Sequence, residues 1–260
     1  MSDEISNLYE MKDFVTSLAR GLSVIKAFDS DNSQLTLTQV ATRTALNRAT
    51  ARRFLFTLNA LGYVHTDGKL FRLSPKVLEL GYSYLASQPI VDIVLPFIER
   101  VSKETAESCS VSVLDGSDVV YIARFLTHHI MSVTLNVGTR LPAYVTSMGR
   151  VLLANKAAAE IDEILADSQL KQLTEHTIVN PDQIKSELQK TRSMGYCIVN
   201  QELELGLRSI SVPICNQRGQ VVAAINVGTQ SARVEETELI ERILPSLQRA
   251  AMDIQHVLHT

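Results

Sequence analysis

A cluster of arginines at the start of a predicted helix, Arg48 to Leu61, is the first group of residues that could do chemistry. Arg48, Arg52 and Arg53 carry guanidinium groups, which pair with guanine edges or phosphate oxygens, and Thr50 adds a hydroxyl. Apolar residues at spacings i, i+3, i+4 and i+7 predict the buried side, which consists of Ala51, Phe54, Leu55 and Leu58. The polar side chains could enter a DNA groove, although the same pattern also describes an ordinary solvated helix surface.

Neighbouring elements that would position this helix favour the DNA-binding interpretation. One helix is predicted from Ser17, and its apolar spacing predicts burial of Leu18, Leu22, Ile25 and Phe28. A second helix follows Thr36, a suitable N-cap, and Gly62 is suited to end the third helix. Two short strands then flank Asp67-Gly68, a dipeptide typical of β-hairpins. Together these elements predict a winged helix-turn-helix.

The predicted wing adds further candidate DNA contacts. Lys69 and Arg72 lie on its second strand, where they could reach the phosphate backbone beside the groove, and Arg20 lies in the first helix. Phe56 lies toward the polar side of the third helix, so we expect it to pack against the wing or a partner. The candidate DNA-binding residues are Arg20, Arg48, Thr50, Arg52, Arg53, Lys69 and Arg72.

Composition excludes several classes of protein. The chain has 260 residues, of which 45% are hydrophobic and 20% charged, as expected for a globular protein with a real core. It has no apolar run of about 18 residues and no secretory signal pattern, so we expect no membrane partner. Its three cysteines have no metal or redox spacing, and we therefore expect a cytoplasmic protein without metal or cofactor.

Charge is distributed unevenly along the chain. Residues 36–76 contain seven basic side chains and one acidic side chain, although the whole chain has a net charge of −3. This segregation predicts a small module that contacts a polyanion and a larger part with another role.

The remainder of the chain predicts a connecting helix and an α+β domain. A helix begins at Ser74-Pro75 and stops before Gln88-Pro89, and its apolar stripe could serve as a dimer contact or pack on its own domain. From about residue 90, we expect a helix over Val91–Ser108, largely antiparallel strands with helices on one face, and a closing helix from Val234.

Catalytic motifs are weak. The S-x-x-K pattern at Ser23 lies on a helix that needs this register for packing, and no partner motif follows it. His128 and His129 would point to opposite faces of a strand, while His256 and His259 lie near the end of the chain. No nucleophile–base pair stands out, so we expect no enzyme activity.

Five segments resemble the IclR family of transcriptional regulators in order and spacing. They are SLARGL (17–22), NRATARR (47–53), LPAYVTSMGRVLLA (141–154), GLRSISVPI (206–214) and AAINV (223–227). The segment from Tyr144 to Arg150 is most similar to the subgroup that controls protocatechuate and 4-hydroxybenzoate breakdown, in the beta-ketoadipate pathway.

This resemblance implies an α+β fold with an N-terminal winged helix-turn-helix domain, a linker helix and a C-terminal GAF-like effector-binding domain. The expected boundaries are a tail at 1–16, the DNA-binding domain at 17–76, the linker at 77–89 and the effector domain at 90–260. The family acts on double-stranded promoter DNA as dimers or dimers of dimers, and we expect a contact with RNA polymerase.

The resemblance also implies a pocket for a small carboxylate, such as protocatechuate, 4-hydroxybenzoate or a related acid. The candidate effector-binding residues are Met131, Thr134, Tyr144, Ser147, Met148, Ser209, Asn226 and Gly228. Family pockets for small keto acids have a cysteine in place of Ser209 and serines in place of Asn226 and Gly228. Arg124, Arg150 and Arg208 are candidates to meet the anion, and for each a surface position or a structural ion pair is an equally good interpretation.

The resulting functional hypothesis is a one-component regulator of aromatic-compound catabolism genes whose linker helix transmits effector binding. The alternative is a metabolite-binding, enzyme-like module with a non-functional winged helix.

Overall fold

The computed structural model describes residues 13–127 and 135–258. The chain divides into two compact units, the first ending at Tyr84 and the second beginning at Leu85. Within the described ranges, no helix is both long enough and apolar enough to cross a membrane.

The first unit is a small helical bundle with a three-stranded sheet. Its elements are α1 (Thr16–Lys26), β1 (Leu35–Thr36), α2 (Leu37–Arg43), α3 (Arg48–Ala60), β2 (Val64–Thr66) and β3 (Leu70–Leu73). The sheet has the antiparallel order β1-β3-β2, in which β2 and β3 form the predicted hairpin. Buried side chains from all three helices and from the sheet form one core, which confirms the winged helix-turn-helix architecture.

Local signals explain where these helices begin and end. Thr36 and Gln39 form a capping box at the start of α2. The Asn47 side chain accepts a hydrogen bond of 2.8 Å from the Thr50 amide and caps α3. Gly62 has a φ of 82°, the left-handed conformation that a glycine adopts at low cost after a helix. The helix predicted to reach Leu61 thus ends within one residue of the expected position.

The predicted buried stripe of α1 is wrong for two of its members. Leu18 and Leu22 are 63% and 46% exposed, whereas Val24 is fully buried and Ala27 almost so. Apolar residues lie on two sides of this helix, and the core contacts the side that contains Val24. Ile25 and Phe28 are half-buried against the same core.

The connecting helix begins with one 3₁₀ turn, Pro75–Val77, and continues as α4 (Leu78–Ser87). The Ser74 hydroxyl accepts a hydrogen bond from the Lys76 amide and caps the turn. Leu78 and Tyr82 are strongly exposed, so much of the apolar stripe faces away from the described chain.

The second unit is built on a six-stranded sheet. Its elements are α5 (Pro89–Thr105), β4 (Ser108–Asp115), β5 (Asp118–Phe125), β6 (Arg140–Pro142), a 3₁₀ turn (Ala143–Val145), α6 (Ser147–Ala154), α7 (Ala158–Asp167), α8 (Pro181–Met194), β7 (Cys197–Asn200), β8 (Leu207–Cys215), β9 (Val221–Gln230), α9 (Glu236–Glu238), a π-helical turn (Leu239–Ile243) and α10 (Leu244–Val257). The strand order is β6-β5-β4-β9-β8-β7, and every recorded pairing is antiparallel.

Helices cover both faces of this sheet, whereas the sequence predicted helices on one face. Apolar side chains of α5 and α10 pack on one face against Cys109, Val111, Ile225 and Val227. Side chains of α6 and α8 form a second core on the other face. The mixed α+β class is confirmed, and the two cores leave the sheet as the rigid centre of the unit.

Several element boundaries differ from the predictions. The helix expected over Val91–Ser108 covers Pro89–Thr105, because Ala106 adopts a left-handed φ of 57° and Ser108 already belongs to β4. The short edge strand β7 was not predicted, and the closing helix begins at Glu236 instead of Val234. The alternating segment SVTL (132–135) also predicts a strand; residues 132–134 lie outside the described residues, and Leu135 is in no strand.

Candidate functional site

The arginines at the start of α3 face solvent. Arg48, Arg52 and Arg53 are exposed, and Thr50 is half-buried beside the Asn47 cap. Among the described residues of this unit, the recorded ion pair uses a different arginine, Arg43, with Asp29 on the loop after α1. The guanidinium groups on α3 therefore have no described carboxylate partner and can meet an anion without first breaking an ion pair.

Phe56 connects α3 to the wing. The Arg52 guanidinium lies 5.2 Å from the centroid of the Phe56 ring, within the range of a cation–π contact. The same ring packs edge-on against Phe71 of β3, with centroids 6.3 Å apart. The expected packing of Phe56 against the wing is confirmed, and the same ring contacts Arg52, so Phe56 links this candidate DNA-binding residue to the wing.

The tip of the wing is organised by one carboxylate. Asp67 accepts hydrogen bonds of 2.8 and 2.7 Å from the amides of Lys69 and Leu70, and these bonds lower the pKa of Asp67. The side chains of Lys69 and Arg72 are exposed beside this turn, and Arg20 is exposed on α1. These three side chains are basic and solvent-facing, as phosphate contacts require.

The second unit contains a cavity against the sheet face that carries α6. Its free volume is about 30 Å³. This is well below the roughly 300–1,000 Å³ of typical small-molecule sites, so a ligand of that size would have to displace the surrounding side chains. The described lining residues are Ser108, Ser110, Tyr121, Arg124, Leu135, Val145, Thr146, Ser147, Val199, Leu203, Leu207, Ser209, Asn226 and Gly228. Four sequence-predicted positions, Ser147, Ser209, Asn226 and Gly228, come together here from three separate elements.

The alternation of side chains along the strands places polar residues on the cavity face of the sheet. Ser110 of β4 lies opposite Asn226 of β9 and opposite Arg124 of β5, and directly paired residues share a face of the sheet. The intervening positions carry the apolar side chains of the α5–α10 core. A register shift between β4 and β5 lets Tyr121 and Arg124, three positions apart, both reach the cavity.

Two polar groups in the cavity lack a described partner. The Nε and Nη1 atoms of Arg124 and the Oδ1 atom of Asn226 are buried without a hydrogen bond to any described residue. Burial lowers the pKa of the Arg124 guanidinium and raises that of the Tyr121 hydroxyl to about 12. Because buried polar groups are nearly always hydrogen-bonded, these atoms mark where a polar ligand would gain most.

The N-terminus of α6 forms another wall. Thr146 caps the helix by accepting a hydrogen bond of 3.0 Å from the Gly149 amide, and Ser147 is its first residue. The Ser209 hydroxyl donates to the Ser147 hydroxyl across 2.9 Å. This wall offers hydroxyl groups and the positive end of a helix dipole to a ligand.

Other candidate residues lie elsewhere in the unit. The Tyr144 hydroxyl donates to the Lys171 carbonyl across 2.7 Å, and the Met148 sulfur accepts from Ser112, so neither lines the cavity. Arg150 forms a buried ion pair with Glu202, with Nη2 and Oε2 2.6 Å apart.

Arg208 is directed to the opposite sheet face, where it donates to the Val234 carbonyl across 2.6 Å. Of the three candidate arginines, Arg124 alone lines the cavity among the described residues. Met131 and Thr134 lie outside the described residues.

Sequence reasoning missed Ser108, Ser110 and Tyr121 as lining residues. A usable signal was present: in the segment SCSVSV (108–113), serines alternate with apolar residues although the strand is almost entirely buried. A small polar residue at every second position of a buried strand indicates a polar cavity on one face.

Catalytic and metal chemistry finds no support in the described ranges. Within residues 13–127 and 135–258, no three histidine, cysteine, aspartate or glutamate side chains cluster to hold a metal ion. The Ser23 hydroxyl of the S-x-x-K pattern donates to the Arg20 carbonyl within its own helix. Burial raises the pKa of the Cys109 thiol above its usual range and that of Cys197 to about 11, which suppresses reactive thiolate.

Family models match both units. The IclR helix-turn-helix domain matches residues 17–68, and the C-terminal domain of bacterial IclR transcriptional regulators matches residues 82–256. The chain belongs to the IclR family.

This IclR protein is similar to characterised and structurally determined relatives. It is 47% identical over 247 residues to the Pca regulon regulatory protein of Pseudomonas putida, covering 95% of this chain and 85% of the relative. A solved transcriptional regulator of Rhodococcus sp. RHA1 is 48% identical, with a TM-score of 0.85 and coverage of 94% and 98%. An IclR homologue of Microbacterium hydrocarbonoxydans, solved with 4-hydroxybenzoate, is 26% identical, with a TM-score of 0.81 and coverage of 94% and 99%.

Proposed function

We propose that this IclR-family regulator binds promoter DNA through its winged helix and responds to an aromatic carboxylic acid held in the cavity of the second unit. The observation that carries the effector assignment is the half-buried Arg124, whose Nε and Nη1 atoms are buried without a described partner. A carboxylate would satisfy both through charge-assisted hydrogen bonds. No acidic side chain lines the described part of the cavity, so nothing there repels an anion.

Relatives support the choice of an aromatic acid. The similar protein of Pseudomonas putida is named for the Pca regulon, and the Microbacterium homologue was solved with 4-hydroxybenzoate. In this chain, apolar side chains from the sheet and the α6 region complete the cavity wall and suit a ring, namely Leu135, Val145, Val199, Leu203 and Leu207. Protocatechuate and 4-hydroxybenzoate are the first acids to test. We propose that the response to such an acid controls the expression of aromatic-catabolism genes.

On the DNA side, we assign Arg48, Thr50, Arg52 and Arg53 to the major groove and its phosphates. Lys69 and Arg72 of the wing, together with Arg20, are assigned to the flanking backbone. A capped helix held by its apolar back presents its first turn to the groove, as helix-turn-helix readers do.

Several properties complete the proposal. The protein works in the cytoplasm as a dimer or tetramer, contacts RNA polymerase and catalyses no reaction. The exposed apolar side chains of α4, such as Leu78, are the proposed self-association and transmission surface. Effector binding must favour one arrangement of the oligomer over another, because a ligand with equal affinity for both arrangements does not change their populations.

Thermal unfolding with a panel of acids tests the effector assignment. An acid that binds the folded state at a hundredfold excess over its Kd stabilises the protein by about 2.7 kcal/mol and raises its Tm. We expect a concentration-dependent rise with an aromatic acid, and its loss in Arg124→Met. A melting temperature that no acid in the panel changes would contradict the effector assignment.

Operator binding tests the DNA half separately. Arg52→Ala should weaken binding to promoter DNA while the acid-induced rise in Tm stays unchanged, since the two sites lie in different units. Wild-type affinity should also fall steeply with salt, because phosphate contacts release counterions. A parallel loss of DNA and acid binding in Arg52→Ala would indicate a folding defect, and the variant would then no longer support a DNA contact by Arg52.

A further inference from the structure

We infer that Phe56 determines sequence specificity at the DNA site by orienting the Arg52 guanidinium for a base edge. This inference rests on the proposed function, because it takes α3 to be the recognition helix. It assigns a positioning role to Phe56: the ring acts through Arg52 and contributes to the choice of sequence more than to the total affinity for DNA.

The arginines of α3 differ in their surroundings. The Arg52 guanidinium lies 5.2 Å from the centroid of the Phe56 ring, which is one helical turn further along the chain. Arg48 and Arg53 are exposed, and their guanidinium groups have no recorded partner among the described residues. Of the arginines on this helix, Arg52 is therefore the one that a side-chain contact holds before DNA binds.

The wing in turn holds the Phe56 ring. The ring packs edge-on against Phe71, with centroids 6.3 Å apart and ring planes inclined by 71°. Phe71 is 5% exposed and pairs in the sheet with Leu35 on one side and Thr66 on the other. Phe56 itself remains 48% exposed. The ring is thus a solvent-accessible platform whose position is determined by a buried part of the sheet.

A fixed platform matters for base recognition because hydrogen bonds to a base edge are directional. A guanidinium reads guanine by donating to O6 and N7 together, which requires one orientation of the planar group. A phosphate contact depends mainly on charge and carries no sequence information. Ordering a free arginine at an interface costs side-chain entropy, and the Phe56 contact supplies part of that order in advance.

The donors of Arg52 stay available while the ring holds it. Within the described part of the chain, the Arg52 side chain donates no recorded hydrogen bond and forms no recorded ion pair. Another cation–π contact in this unit behaves differently: Lys76 Nζ lies 5.2 Å from the Tyr63 ring centroid but also donates to the Leu61 carbonyl across 3.1 Å. That ammonium is anchored to the end of α3, whereas the Arg52 guanidinium is oriented but unoccupied.

Fluorescence anisotropy with two DNA duplexes tests the inference. One duplex is the sequence that the wild-type full chain enriches most from a random library, and the other is a shuffled sequence of the same composition. The specificity ratio is the affinity for the first duplex divided by that for the second, at one salt concentration. We expect Phe56→Leu to lower this ratio about two- to fivefold, the value of one exposed cation–π contact. The affinity for the shuffled duplex and its salt dependence should stay unchanged, because the phosphate contacts remain.

A double-mutant cycle determines whether the ring acts through the arginine. In the Arg52→Ala background, Phe56→Leu should not lower the ratio further, because the group that the ring orients is absent. Phe56→Tyr, which keeps an aromatic ring, should retain the wild-type ratio. Tyr63→Leu is the matched control, since it removes the other cation–π contact of this unit, and it should leave the ratio unchanged.

Three results would overturn the inference while leaving the proposed function standing. They are an unchanged ratio in Phe56→Leu, an equal loss of affinity for both duplexes in that variant, and a further fall of the ratio in the Arg52→Ala background. The last result would mean that the ring contacts DNA itself. A wild-type protein that does not distinguish the two duplexes would overturn both proposals. If Phe56→Leu does not fold, as judged by its Tm, Phe56→Met provides the same comparison.

Discussion

Replacing Arg150 by methionine should sharply destabilise the second unit without creating a ligand-binding defect of its own. Arg150 is 2% exposed and donates from Nη2 to Glu202 across 2.6 Å, and from Nε to the Tyr144 carbonyl across 2.9 Å. Glu202 Oε2 also accepts a hydrogen bond of 3.1 Å from the Ile178 amide. The ion pair thereby joins α6 to the loop after β7 and to the segment before α8.

The magnitude follows from what remains after the change. Arg150→Met leaves the Glu202 carboxylate buried with no cation, and breaking a buried pair in this way costs about 3–5 kcal/mol. For a unit of this size, 1 kcal/mol corresponds to about 2–4 °C, so we expect the Tm to fall by about 6–20 °C. The double variant Arg150→Met, Glu202→Leu should recover much of this loss, since neither charge then remains buried.

Differential scanning calorimetry of the wild type and variants measures this effect. Arg140→Met is the matched control, because Arg140 pairs with Asp115 and Asp118 at an exposed position where ion pairs contribute about 1 kcal/mol or less. A wild-type Tm in Arg150→Met, combined with loss of the acid-induced stabilisation, would refute the structural role and identify Arg150 as an anion-binding group.

Phe56→Leu should weaken operator binding and Phe56→Tyr should restore it, as measured by fluorescence anisotropy, because the aromatic ring holds the recognition helix against the wing. Gly149→Ala should give little folded protein on size-exclusion chromatography, since an added methyl group would overlap the Ala143 backbone. Cys215 should be the first thiol alkylated in native protein, by peptide mass mapping, because the other two cysteines are buried. Since the pKa of Asp67 is lowered in the folded wing, its stabilising effect is present above about pH 4 and lost as the pH falls. The protection of wing amides against hydrogen exchange, relative to their intrinsic rates at each pH, should therefore fall with acid in the wild type but not in Asp67→Asn.

The winged helix was largely predictable from local signals. The apolar spacing of α3 lies between an Asn47 cap and Gly62, and the Asp67-Gly68 turn determines the hairpin. These signals act within a few residues, so no long-range information is needed. The prediction of the buried side of α1 was wrong because Leu18 and Val24 are both apolar. Only tertiary packing decides which side of the helix is covered.

The candidate pocket was predictable in part. Family resemblance predicted Ser209 and Asn226 as cavity residues. The sequence did not indicate that Arg124, of the three candidate arginines, would be the one in the cavity. Three arginines appeared equivalent in sequence, and only folding brings Glu202 to Arg150 across 52 positions and leaves Arg124 without such a partner among the described residues. The strand β7 was missed because four residues beside a helix-terminating glycine carry too little periodicity.

The alternation of β4 has an evolutionary consequence. Cys109 and Val111 support the core shared with α5 and α10, while Ser108 and Ser110 face only the cavity side of the same strand. Selection can therefore change the cavity-facing residues with little penalty to folding, because the stabilising contacts lie on the opposite face. On the proposed function, exchanging a few small side chains within one stable scaffold would therefore change which acid the regulator binds.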